Sequence, residues 1–162
     1  MKNVIEPEYM PMRQTKDSAG YDIYAVEDMG ISDSFRVFDT GVVFDGTEKP
    51  SFFNEYTISK VYPKNWVAFI FPRSSYGFKY GLQFANTVCV IDKDYRDTIK
   101  ISLKAQYPFR INKGDRFAQL IFMPICFIDN EIIPTANRSG GIGSTDKKKK
   151  NLDDYIDDIK KC

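Results

Sequence analysis

Short apolar runs, many of them alternating with polar residues and broken every few positions by Gly, Pro, Asn or Asp, dominate this chain. Runs of β-branched and aromatic residues with that punctuation predict short strands in an all-β sandwich or barrel. The pattern places strands at 23–25, 35–38, 41–44, 66–71, 82–84, 87–91, 99–104, 109–111 and 117–127. The last of these is nearly all apolar and reads as a strand buried on both faces. No long helical period and no internal repeat runs through this core. A helical period does emerge near the end, where Leu152, Tyr155, Ile156 and Ile159 fall at i, i+3, i+4 and i+7. Acidic residues lead that segment and lysines close it, which suits the helix dipole. So short a helix is marginal unless it docks.

The chain has 162 residues, enough for one domain with its own core. Hydrophobic residues at 43% and charged residues at 28% describe a soluble globule rather than a disordered chain. The net charge of +1 implies no bulk attraction to nucleic acid. Lys147 to Lys150 form a basic run, but four aspartates follow closely and offset it. The first residues lack an apolar signal core, and the longest apolar run, at 66–72, is too short to span a bilayer. A soluble, unsecreted protein with no membrane partner is expected.

The absence of histidine narrows the chemistry. It removes the commonest general base and the commonest zinc ligand. Acid–base work falls to Asp, Glu, Lys, Tyr or Cys. Cys89, Cys126 and Cys162 are odd in number and form no C-x-x-C pair, so neither a zinc site nor a disulfide framework is suggested. A reduced, cytoplasmic setting fits best. Cys89 and Cys126 lie in apolar runs and are expected to be buried.

Three segments carry candidate chemistry. Arg73-Ser74-Ser75 follows a strand and offers a guanidinium, two hydroxyls and backbone N–H groups, all suited to phosphate. Gly140 to Thr145, with Arg138 beside it, can wrap a polyphosphate or serve as a linker. It is not a Walker sequence, because the Gly-Lys-Ser/Thr ending is missing. Asp22, Asp92 and Asp94 supply carboxylates for a magnesium shell or a general base, or simply form turns. Together these groups point to a nucleoside polyphosphate with Mg²⁺.

Five blocks in order are more specific than any one. They are Ala19-Gly20-Tyr21-Asp22-Ile23, Pro72-Arg73-Ser74-Ser75, Val88 to Ile101 around Asp92-Lys93-Asp94-Tyr95, Gly114 to Leu120, and Gly140 to Thr145. This order resembles the trimeric dUTP pyrophosphatase (dUTPase) family. The resemblance implies a β-clip or jelly-roll fold and hydrolysis of dUTP to dUMP and pyrophosphate, the dUTP diphosphatase reaction. It implies a β domain over 1–137 with an insertion at about 45–62, a mobile glycine-rich arm at 138–145, and a Lys-rich amphipathic tail at 146–162. Asp92 would orient and deprotonate the attacking water, for which a carboxylate of ordinary acidity suffices. Tyr95 would pack beneath the deoxyribose and exclude a 2′-hydroxyl; its alternative is a ring that fills a sheet face. Asn86 would lie near the uracil. Arg73, Ser74, Ser75 and Gln119 would hold phosphates, with Arg116 in support. Asp22 would bond waters around Mg²⁺ carried by the triphosphate. Arg138 would meet the γ-phosphate, and Ser144 and Thr145 would help cradle it. The resemblance also implies a homotrimer with shared sites, in the cytoplasm or, for a viral gene, the host cytoplasm.

The chain departs from the family pattern in places. Ile142 stands where the family usually has a Phe that stacks on the base, and Arg138 lies one position closer to the Gly-Gly pair than in many relatives. Ser75, Cys89 and Asp97 stand where Gly is frequent. Two other readings compete. A dCTP deaminase would need a Glu in the strand after the hairpin, and 99–104 has none. A nucleotide-binding regulatory module with weak catalysis would suit Ile142, the insertion and the tail.

Overall fold

The computed structural model of the chain describes residues 9–44, 65–132, 134–136, 138 and 140–142. The expected insertion at 45–62, Ser144, Thr145, Cys162 and the tail at 146–162 lie outside them. Nine strands and one short helix follow in the order β1 (Tyr21–Tyr24), β2 (Met29–Ile31), β3 (Arg36–Asp39), β4 (Trp66–Pro72), α1 (Ser74–Tyr80), β5 (Gln83–Phe84), β6 (Cys89–Asp92), β7 (Lys100–Lys104), β8 (Phe109–Ile111) and β9 (Arg116–Pro124). They form a four-stranded sheet β1-β9-β4-β6, a two-stranded sheet β2-β8 and a three-stranded sheet β3-β7-β5. All pairings are antiparallel. This is the all-β fold that the pattern predicts, with the jelly-roll-like arrangement that the resemblance implies.

Strand alternation decides what faces the core. On β4, Trp66, Ala68 and Ile70 point inward with Leu120, Cys89 and Ile91 from the neighbouring strands. Ile23, Ile99, Ile101, Leu103 and Phe117 complete a single apolar interior. Each such aliphatic side chain contributes roughly 1.5–3 kcal/mol by leaving water. The opposite face of β4 carries Val67, Phe69 and Phe71 beside Val90, Ile121 and Met123. Val90 is 57% and Met123 48% exposed, so this second apolar face is only partly covered.

Several expectations are corrected. Residues 41–44 form no strand, although Ile99 donates its N–H to the Val42 carbonyl and accepts from Thr40. The 117–127 run is not buried on both faces: β9 ends at Pro124, and Phe127 is 58% exposed. Cys89 is buried, but Cys126, two residues past β9, is exposed. Helix α1 was hidden because it buries none of its residues fully and so shows no apolar stripe. It packs Tyr76 and Tyr80 at i and i+4 on Phe109, with the Tyr80 and Phe109 rings 3.9 Å apart. Gly81 ends it in the left-handed conformation at φ 65°, and any Cβ there would lie 2.8 Å from the Gln106 side chain.

Candidate active site

The first part of the site is a cleft of about 330 Å³ where β1, β4 and β9 end side by side. Its central group is Asp22, 8% exposed on β1. Arg73 Nε lies 3.3 Å from one Asp22 carboxylate oxygen, and Arg116 Nη1 lies 3.1 Å from the other. Arg73 is free to do this because it opens α1 through its carbonyl and makes no side-chain cap. Its Nη1 also donates to the Arg116 carbonyl at 3.0 Å. Two guanidiniums thus share one carboxylate, which leaves one positive charge in excess. Planar guanidiniums fixed in this way present remaining N–H groups to a phosphate.

Gln119 faces Asp22 across the β1–β9 ladder and lines the same cleft. Gly20 makes room for it: a Cβ at Gly20 would stand 2.9 Å from Gln119 Oε1. Ser74 lines the cleft and Ser75 does not. Sequence reasoning missed Gln14 and Ser18, which form its remaining polar wall. Their loop is tied internally. Arg13 Nη1 donates to the Lys16 and Ser18 carbonyls, both at 3.1 Å, and the Thr15 and Ser18 hydroxyls bond at 2.7 Å. Burial pushes the Tyr21 hydroxyl pKa up, with Arg13 opposing.

The second part is the hairpin after β6. Asp92 ends that strand, opposite Val67, with its side chain 57% exposed. The Tyr95 N–H donates to the Asp92 carbonyl at 3.1 Å and closes the turn. Tyr95 is 8% exposed, and its hydroxyl donates to the Thr98 carbonyl at 3.1 Å. Burial and then Asp97 raise the Tyr95 pKa, while Arg138 opposes. Cys89 Sγ lies 3.3 Å from Asn86 Oδ1 and fixes that amide, so the thiol where Gly is frequent has a use here. Burial raises the Cys89 pKa against that hydrogen bond. Thr87, next to Asn86, has φ 61°, a strained value for a β-branched residue.

Arg138 sits on this hairpin and not in the cleft. Its Nη2 pairs with Asp92 Oδ2 and its Nε with Asp94 Oδ1 at 3.0 Å. Its guanidinium lies 5.5 Å from the Tyr95 ring centroid. Ile142 is half exposed. The structure therefore gathers the site residues into two groups, Asp22-Arg73-Ser74-Arg116-Gln119 and Asn86-Asp92-Tyr95-Arg138. Gln119 lies opposite Phe71 and Asp92 opposite Val67. That is four residues, about 13 Å, along β4 and two strand spacings, about 10 Å, across it.

Fold and cleft define an all-β protein whose polar cleft carries two arginines on one aspartate, a charge excess that suits an anion. The sequence model of the dUTPase family matches residues 51–146. The deoxyuridine 5′-triphosphate nucleotidohydrolase of Nautilia profundicola is 32% identical over 154 residues, covering 91% of this chain and 97% of that protein. That of Mannheimia succiniciproducens is 31% identical, covering 86% of this chain and 88% of the relative. The crystal structure of dUTPase from Streptococcus mutans superposes with a TM-score of 0.59 at 25% identity, over 80% of this chain and 95% of that one. A mutant dUTPase from phage phi11 of S. aureus shares the fold at 22% identity and TM-score 0.59, over 80% and 93%. The chain belongs to the dUTPase family.

Proposed function

We propose that this chain hydrolyses dUTP to dUMP and pyrophosphate. The observation that carries the reading is the Asp22–Arg73–Arg116 cleft with Gln119 and Ser74, on the same sheet face as the exposed carboxylate of Asp92. The curated relatives are nucleotidohydrolases of deoxyuridine 5′-triphosphate, and they match nearly end to end.

In this reading the triphosphate lies on Arg73, Ser74 and Gln119, with Arg116 supporting. Asp92 accepts the proton of a water whose oxygen attacks the α-phosphorus. The bond from that phosphorus to its bridging oxygen breaks, and pyrophosphate leaves with the electron pair. Tyr95, its hydroxyl tied to Thr98, holds its ring beneath the deoxyribose, and the fixed Asn86 amide lies near the base. A pocket that pairs with uracil edges rejects cytosine by leaving polar groups unmatched.

Mg²⁺ fits the donor set. Arg73 and Arg116 each take one Asp22 oxygen, which leaves further lone pairs on both for metal-bound water. The phage phi11 enzyme is described with a structural Mg(II) ion. Bound to the triphosphate, the ion supplies charge neutralisation. Asp22 would bond waters of its shell, and it holds the two arginines together by pairing with both.

The same geometry supports the homotrimer with shared sites as part of this reading. Cleft and hairpin lie too far apart in one chain to meet on one nucleotide, and the apolar face of β4, β6 and β9 runs between them. A neighbouring copy on that face buries Val90 and Met123 and brings its own hairpin to the cleft. The test is pyrophosphate release with Mg²⁺ and each of dUTP, dCTP, dTTP and UTP. Release from dUTP alone is expected; release from none sinks the reading.

A further inference from the structure

The contacts of Arg138 have a consequence for turnover. Its side chain is 18% exposed, while those of the two aspartates it joins, Asp92 and Asp94, are 57% and 58% exposed. The pair is reinforced by the Tyr95 ring beneath the cation. Three residues further on, Gly141 packs against the Asp97 carboxylate, with the Tyr95 hydroxyl beside it. Asp92, Asp94, Asp97 and Tyr95 thus form a docking surface on the hairpin. What sits on it is the segment of the same chain that carries Arg138 and Gly141.

We infer that this segment is a latch that substrate must release. The inference rests on the catalytic reading of Asp92. While Arg138 holds Asp92 Oδ2, the guanidinium occupies the place from which a water would reach that oxygen. A triphosphate carries more negative charge than the two half-exposed carboxylates and accepts the guanidinium in several geometries. Nucleotide binding therefore competes with Asp92 and Asp94 for Arg138, and only the winning state frees the base. Asp94 is the residue that sets the strength of the latch without touching the substrate.

The latch has a readout independent of catalysis. Trypsin cuts after Arg138 only when its side chain can leave the hairpin. Limited digestion of the full chain, followed by mass spectrometry, should time the cut at the Arg138–Ser139 bond, with the bond after Arg116, protected within the sheet in β9, reporting any wider unfolding. Asp94→Asn should speed the Arg138 cut by about two- to five-fold, the scale of one half-exposed ion pair, with Arg116 unchanged. Equal rates in the two proteins would overturn the latch whether or not dUTP is hydrolysed. In turnover, Asp94→Asn should lower KM for dUTP by a similar factor and keep kcat, and an Arg138→Ala background should erase the difference. Equal KM values in a variant whose arm is measurably loosened would overturn the competition. A wild-type chain that releases no pyrophosphate sinks the enzymatic reading alone, since the digestion still decides the latch.

Discussion

Asp22 and Asp92 share a residue type and a sheet face, and their surroundings divide their work. Asp22 is buried and holds a guanidinium on each oxygen; Asp92 is mostly exposed and shares one arginine with Asp94. Breaking a buried ion pair leaves charges uncompensated, so Asp22→Asn should lower stability by about 3 kcal/mol in urea unfolding. Asp92→Asn should leave stability within about 0.5 kcal/mol and cut kcat by about 10²–10⁴-fold, the usual worth of a positioned general base. An Asp92→Asn enzyme with undiminished turnover would remove it from the chemistry. Gly20→Ala should raise KM for dUTP, because the new Cβ displaces Gln119 from the cleft. The ordered blocks made Asp22, Arg73, Arg116 and Gln119 legible in the sequence, and the structure brings these four together. Gln14 and Ser18 were not legible, since a loop held by its own hydrogen bonds has no period. Nor was the Arg138–Asp94 pair, whose partners are 44 residues apart.

At the scale of elements, strand alternation was readable where one face meets the core in β4, β7 and β8, but not in the three-residue β2, too short to show a period. It misled where apolar residues meet no neighbour. The run past Pro124 has the composition of a buried strand, yet Cys126 and Phe127 leave the sheet and lie exposed. A thiol reagent on the native protein, mapped by mass spectrometry, should therefore modify Cys126 well before Cys89, whose thiol is buried and its pKa raised. The β3–β7 pair carries a second testable feature. Burial alone would raise the Asp39 pKa, but hydrogen bonds from Thr98, the Gly41 N–H and Lys100 outweigh it and hold it below the usual carboxylate range. A folded pKa below the unfolded one means stability that is present at neutral pH and is lost as acid protonates the group. Unfolding midpoints should fall between about pH 5 and pH 3, and less steeply in Asp39→Asn. With the side chain 37% exposed, the effect should stay under about 1 kcal/mol.

At the scale of the molecule, the decisive fact is that one sheet face carries an arginine-lined cleft at one end, an aspartate hairpin at the other and an apolar stripe between. A single chain cannot fold that face onto itself, because β4 runs straight through it. Two copies that bury the stripe can supply a cleft and a hairpin to one nucleotide. Subunit mixing tests this directly. Arg73→Ala damages the cleft and leaves the hairpin whole, while Asp92→Asn does the reverse. Each variant alone should be nearly inactive. Unfolded together and refolded at equal concentration, they should regain activity, with about one site in four pairing an intact cleft with an intact hairpin under random assembly. Sites contained within one chain would give no recovery at any mixing ratio. Met123→Glu, which puts charge on the stripe, should lower both the assembled mass in light scattering and the activity, because the proposed site forms where two copies meet.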